Sequence, residues 1–125
     1  MSEAVATEAP LTHLHSLLRT LLNDPIQAEK IKQKTLLGTI ENWNIITVTS
    51  NSYKLTFHLH PNGRFRITAI IHLEEDRLLE LLEQFEDLGF NVDVDVDRLI
   101  AVKNMKTIDF QVVRKVAQLL RGLKK

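Results

Sequence analysis

Period two dominates the middle of the chain. Tyr53, Leu55, Phe57 and Leu59 alternate with Lys54, Thr56, His58 and His60, and Phe65, Ile67, Ala69 and Ile71 alternate with Arg64, Arg66, Thr68 and Ile70. Successive side chains of a strand point to opposite faces, so this pattern predicts two half-buried antiparallel strands. The turn between them fixes their register. A two-residue Asn62-Gly63 loop would set His60 opposite Phe65 and Leu59 opposite Arg66, mixing polar and apolar on both faces. A three-residue loop, Pro61-Asn62-Gly63, aligns His60 with Arg64, His58 with Arg66 and Leu59 with Phe65. Its residues suit that loop: Pro61 and Asn62 fit the centre of a type I turn, and Gly63 supplies the left-handed conformation of the following bulge.

A third strand is expected over Asn44 to Ser50, joined through a two-residue turn at Asn51-Ser52 that pairs Ser50 with Tyr53. That register sends Ile46 and Val48 to the core. On the other face it makes rows of Trp43, His60 and Arg64, of Ile45, His58 and Arg66, and of Thr47, Thr56 and Thr68.

Elsewhere the period is helical. Leu11, Leu14, Leu17, Leu18, Leu21 and Leu22 predict an amphipathic helix over Pro10 to Asn23. Asp24-Pro25 reads as an N-cap and first-turn proline opening a second helix toward Lys34 to Leu37, with Gly38 as its stop. Glu74 to Leu88 is a third, with Leu78, Leu81, Leu82, Phe85 and Leu88 inward, Gly89 as its cap and Phe90 as the apolar contact beyond it. Phe90, Val92 and Val94 alternate with Asn91, Asp93 and Asp95, and with Leu99 to Lys103 they predict a second hairpin. Thr107 is placed to cap a final helix whose inner stripe is Ile108, Val112, Val113, Val116, Leu119, Leu120 and Leu123. The expected fold is α+β: an antiparallel sheet, made of a three-stranded meander plus a second hairpin, has helices packed mainly on one face. Two of those helices are N-terminal and one is C-terminal.

Length and composition bound this picture without changing it. At 125 residues, 44% of them hydrophobic and 26% charged, the chain supports one core, so residues 10–125 are expected as a single domain behind a flexible tail at 1–9. No apolar run approaches the roughly 18 residues of a membrane span, the first nine residues have no signal-peptide character, and cysteine is absent. These features point to the cytoplasm. Net charge is zero, but the charges are segregated: no Asp or Glu occurs from Asn42 to Leu73, ten acids and one base from Glu74 to Asp97, and eight bases and one acid from Arg98 to Lys125.

Candidate chemistry is sparse. His58-Leu59-His60 places two imidazoles on one strand face, a spacing metal sites use, but no third ligand accompanies them. His13 and His15 point about 200° apart on a helix. The Asp93, Asp95, Asp97 run has Arg98 where a calcium loop needs glycine and Asn104 where it needs glutamate. No phosphate-binding glycine loop, nucleophile elbow or metalloprotease helix is present. Neither a catalytic residue, a metal site nor a cofactor is expected. What remains is the outer sheet face, with Trp43, Lys54, His58, His60, Arg64 and Arg66 among threonines: cations for phosphates and one aromatic for stacking. The leading expectation is a non-catalytic binding module whose open cationic face receives an anionic partner, with single-stranded nucleic acid first. The alternative is a homo-oligomeric adaptor, a homodimer for instance, that uses the segregated charges and the stripe Val112, Val116, Leu119 and Leu123.

Overall fold

The turn at Pro61-Asn62-Gly63 closes as its residue types require. In the structure, a computed structural model that describes residues 3–34 and 36–124, the His60 amide donates to the Arg64 carbonyl and the Gly63 amide to the His60 carbonyl, both at 2.9 Å. Gly63 has a φ of 98°, a conformation that costs any residue with a Cβ. Two side chains reinforce the loop. The Asn62 amide donates to His60 Nδ1 at 3.1 Å, and the Arg64 amide to Asn62 Oδ1 at 2.9 Å.

This turn joins β3 (Tyr53–Leu59) to β4 (Phe65–His72), and β2 (Ile40–Thr49) lies on the other side of β3. The pairings Leu59↔Phe65, His58↔Arg66, Thr47↔Thr56 and Ile45↔His58 are those the alternation requires. The Ser50 amide donates to the Tyr53 carbonyl, closing the Asn51-Ser52 turn.

The segment after Pro25 is not a helix. Among the described residues only one helix, α1 (Glu3–Leu22), precedes the sheet, and Ile26–Lys34 forms strand β1, antiparallel to β2. Asn23 leaves α1 in the left-handed region at φ 55°. Asp24-Pro25 then starts a strand instead of capping a helix, with the Pro25 carbonyl accepting from the Thr49 amide at 3.2 Å. Gln, Ala, Glu and Lys favour helices locally, yet this segment has no apolar stripe to bury as one. Pairing with the long β2 satisfies its backbone instead. α1 also takes in residues 3–9 and holds Pro10 in its interior, so most of the expected tail is helical; residues 1 and 2 lie outside the described residues.

The remaining elements are α2 (Glu75–Asp87), β5 (Asn91–Asp95), β6 (Arg98–Met105), α3 (Phe110–Arg121) and a closing 3-10 turn (Gly122–Lys124). α2 ends as expected: Gly89 has a φ of 89°, the Phe90 amide donates to the Phe85 carbonyl, and the two rings meet edge to face at 5.1 Å. α3 is capped by Asp109 and not by Thr107. The Asp109 carboxylate accepts from the Gln111 amide at 3.0 Å and from the Val112 amide at 3.4 Å.

The six strands follow the order β1-β2-β3-β4-β6-β5, all antiparallel. Leu14, Leu18 and Leu22 of α1, Leu78, Leu81 and Phe85 of α2, and Val113, Val116, Ala117 and Leu120 of α3 share one apolar cluster with the inward rows of the sheet. No outward-row side chain belongs to that cluster, so the described helices pack on the inward face. Tyr53 ties the first turn to this core: its hydroxyl donates to the Asp24 carboxylate, and burial, then that carboxylate, push the phenol pKa upward.

Candidate nucleic-acid interface

The outer face is assembled by parity. Once β2, β3 and β4 pair in the register above, Trp43, Ile45 and Thr47 of β2 share a side with Lys54, Thr56 and His58 of β3 and with Arg66 and Thr68 of β4. His60 and Arg64, the first and last residues of the turn, extend one row beyond the strands.

Five of the six expected site residues gather at that end. The Trp43 ring meets the His60 ring edge to face at 4.7 Å and the His58 ring at 6.3 Å, and the Arg64 guanidinium carbon lies 5.8 Å from its centroid. That last contact has cation–π geometry. Arg66 is exposed and is oriented by Asn104 of β6, whose Oδ1 accepts from Arg66 Nε at 2.8 Å. Lys54 stands apart. It lies four residues along β3 from His58, roughly 13 Å at strand spacing, beyond the half-buried row of Thr47, Thr56 and Thr68.

Burial grades the cluster. His60 is 8% exposed and Ile45 7%, and the Trp43 ring lies against His60. Trp43 Nε1 and His58 Nδ1 are buried without a hydrogen-bond partner among the described residues. Trp43 is therefore half-buried among imidazoles and a guanidinium, and only part of its ring surface faces solvent. Of the six expected site residues, Arg64, Arg66 and Lys54 are the exposed cations.

His58 is harder to protonate than a free imidazole. Burial first, and the facing Arg66 guanidinium second, lower its pKa below the ordinary 6.5. Its folded pKa thus lies under its unfolded one, and between the two the unfolded chain binds more protons. The stability this contributes is complete above about pH 6.5 and is lost as pH falls through the folded value. Urea midpoints measured from about pH 8 down to 5 should fall below pH 6.5, and His58→Gln should flatten that fall. An identical profile in both proteins would contradict the assignment.

Strand order adds residues that the sequence pattern did not bring to this face. β6 lies beside β4, so Ile100 and Val102 stand half-buried next to Ile70 and Thr68, and Asn104 stands next to Arg66. Nothing in the sequence names Asn104 as a partner of a residue 38 positions away. β5 closes the face with exposed Asp93 and Asp95.

The other candidates stay apart. His13 stacks on Phe110 of α3 at 4.2 Å, and Asp95 makes a surface contact with Arg98 at 3.9 Å. Among the described residues, no three His, Cys, Asp or Glu side chains come together in a way that would hold a metal ion. Of the C-terminal stripe, Val116 and Leu123 lie inside the core, and Val112 and Leu119 are partly buried against it. No described helix is long and apolar enough to cross a membrane.

No protein-family model matches this chain, and no curated protein or solved structure matches it either.

Proposed function

We propose that the chain is a non-catalytic binding module whose outer sheet face receives an anionic partner, and that the ligand class it suits best is single-stranded nucleic acid. The observation that supports this reading most is the cluster of Trp43, Arg64 and Arg66 on the sheet face opposite the one on which the described helices pack. Two exposed guanidiniums suit phosphate oxygens, and the indole offers one stacking surface. The acids flanking this region, Glu29 on β1 and Asp93 and Asp95 on β5, disfavour a polyanion lying across the whole sheet. They confine its path to the β3–β4 strip between Arg64 and Lys54.

With a single aromatic, such a face reads backbone charge more than base identity. Anisotropy of labelled single-stranded oligonucleotides should rise with protein at low salt, differ little among base compositions, and lose affinity steeply as salt increases. Anisotropy that stays flat at low salt with protein in large excess would remove the proposal. A homo-oligomeric adaptor built on the C-terminal stripe is less favoured, because Val116 and Leu123 are already used by the chain's own core.

A further inference from the structure

The two edges of the sheet are not equivalent. α2 packs along β5, whereas β1 ends the strand order with no strand on its far side among the described residues. β1 and β2 also outrun the sheet. Pairing of β2 with β3 begins at Asn44↔Leu59, while β1 and β2 stay paired to Lys34↔Ile40. The result is a two-stranded arm, and it holds much apolar surface in solvent: Leu36 is 106% exposed, Leu37 92% and Ile40 65%. A bare two-stranded ribbon is marginal in water, so this arm has more to gain from a neighbour than any other part of the sheet.

Ladder parity shows what the edge offers. The Thr49 amide donates to the Pro25 carbonyl, so odd-numbered residues of β1 turn their backbone groups to β2. The amides and carbonyls of Ala28, Lys30, Lys32 and Lys34 therefore point outward, away from the sheet. Their side chains share the inner side, where all four are exposed. α1 does not shield them: Leu11 and His15 border an open groove of about 490 Å³ with Ala28 and Lys30. Glu29 and Ile31 stand on the opposite side of the strand.

We propose that the β1 edge is a docking strand for an acidic polypeptide segment of another protein, which adds to the sheet with its carboxylates beside Lys30, Lys32 and Lys34. Backbone hydrogen bonds supply the attachment and the alternate side chains supply the selection. The two sides of the edge make opposite demands. Carboxylates suit the lysine row, whereas on the other side an acid would oppose Glu29 and an apolar residue would meet Ile31. The fitting partner alternates acidic and apolar residues. A second copy's β1 would set lysine against lysine. A second copy's β5 continuing the sheet with matched faces would set Asp93 and Asp95 on the Glu29 side.

The test uses the full chain and a fluorescein-labelled peptide of alternating valine and glutamate. It should bind at least about tenfold more tightly than a peptide of the same composition with the glutamates in one block, or than alternating valine and lysine. N-methylating the amides of one parity should abolish binding while methylating the other parity preserves it; loss on glutamate methylation marks antiparallel addition and loss on valine methylation marks parallel addition. Lys32→Gln should weaken binding about two- to fivefold, the size of one cross-strand charge pair. Lys32→Pro removes an outward amide without touching the β2 ladder, and should weaken it more than about tenfold. If that variant fails to fold by circular dichroism, the methylated peptides decide with the unaltered chain. Equal binding of the blocked peptide, survival of both methylated forms, or no binding at all overturns the proposal. So does an arm that ignores the peptides but sediments with phosphatidylserine vesicles through Leu36 and Leu37.

Discussion

Phe57→Ala is expected to lower the free energy of unfolding by about 3–5 kcal/mol, the range for emptying a large aromatic site in a packed core. Phe57 is 1% exposed at the centre of β3, between Ile46 of β2 and Ile67 of β4, and its ring stacks on Phe65 at 5.8 Å with 17° between planes. The strands on both sides are fixed by their ladders, so the neighbours cannot collapse into the gap. A domain of this size has only about 5–15 kcal/mol in all, so the urea midpoint should drop by roughly 2 M. Phe57→Leu refills most of the volume and should recover more than half the loss. The adjacent residue provides the contrast. His58→Ala, one step along the same strand but on the outer face, should cost about 1 kcal/mol or less. If both substitutions cost the same, the division of β3 into a core face and an outer face is wrong.

That division was legible because two independent signals agree on it. The alternation of Tyr53, Leu55, Phe57 and Leu59 with polar residues admits two registers against β4. The Pro61-Asn62-Gly63 turn chemistry selects the one in which like faces coincide. β1 had no such agreement. As an edge strand it is paired on one side only, and past Ala28 its inward positions are lysines, so neither face of the strand shows the alternation that betrays a core. Its helix-forming residues after Asp24-Pro25 therefore pointed the other way, and only the pairing with β2 overrules them. Strand order was not legible for a related reason. A hairpin can join a sheet by either of its strands, and alternation over Val92 and Val94 does not say that β6 is the one beside β4.

The same limit applies to the site. Parity placed Trp43, His58, His60, Arg64 and Arg66 on one face, but a pattern along single strands does not measure crowding. It did not show that Trp43 is enclosed by two imidazoles and a guanidinium, that burial and Arg66 lower the His58 pKa, or that Asn104 orients Arg66. Those are properties of neighbours in space. They move the contact proposed for a partner from the indole and imidazoles toward the arginines.

Removing those arginines should therefore have the largest effect on oligonucleotide binding. Each exposed cation that neutralises a phosphate contributes about 0.7 to the slope of log affinity against log salt for a single strand. Arg64→Ala with Arg66→Ala should reduce that slope by about 1.4, which corresponds to roughly 60-fold weaker binding at about 50 mM salt and roughly tenfold at about 200 mM. Lys54→Ala removes one contact and should cost roughly eightfold and threefold at the same two salts. The loss shrinks with salt because the interaction is counterion release; a packing defect would cost the same at both. Arg66→Lys tests the geometry. It keeps the charge and the slope but gives up the planar fork that Asn104 orients through Nε, so affinity should fall modestly with the slope unchanged. Fluorescence anisotropy at four or more salt concentrations, with urea midpoints confirming that each variant is folded, separates these outcomes. A double variant whose slope matches that of the unaltered chain would mean that phosphates are not held at Arg64 and Arg66, and that any binding observed lies on another part of the surface.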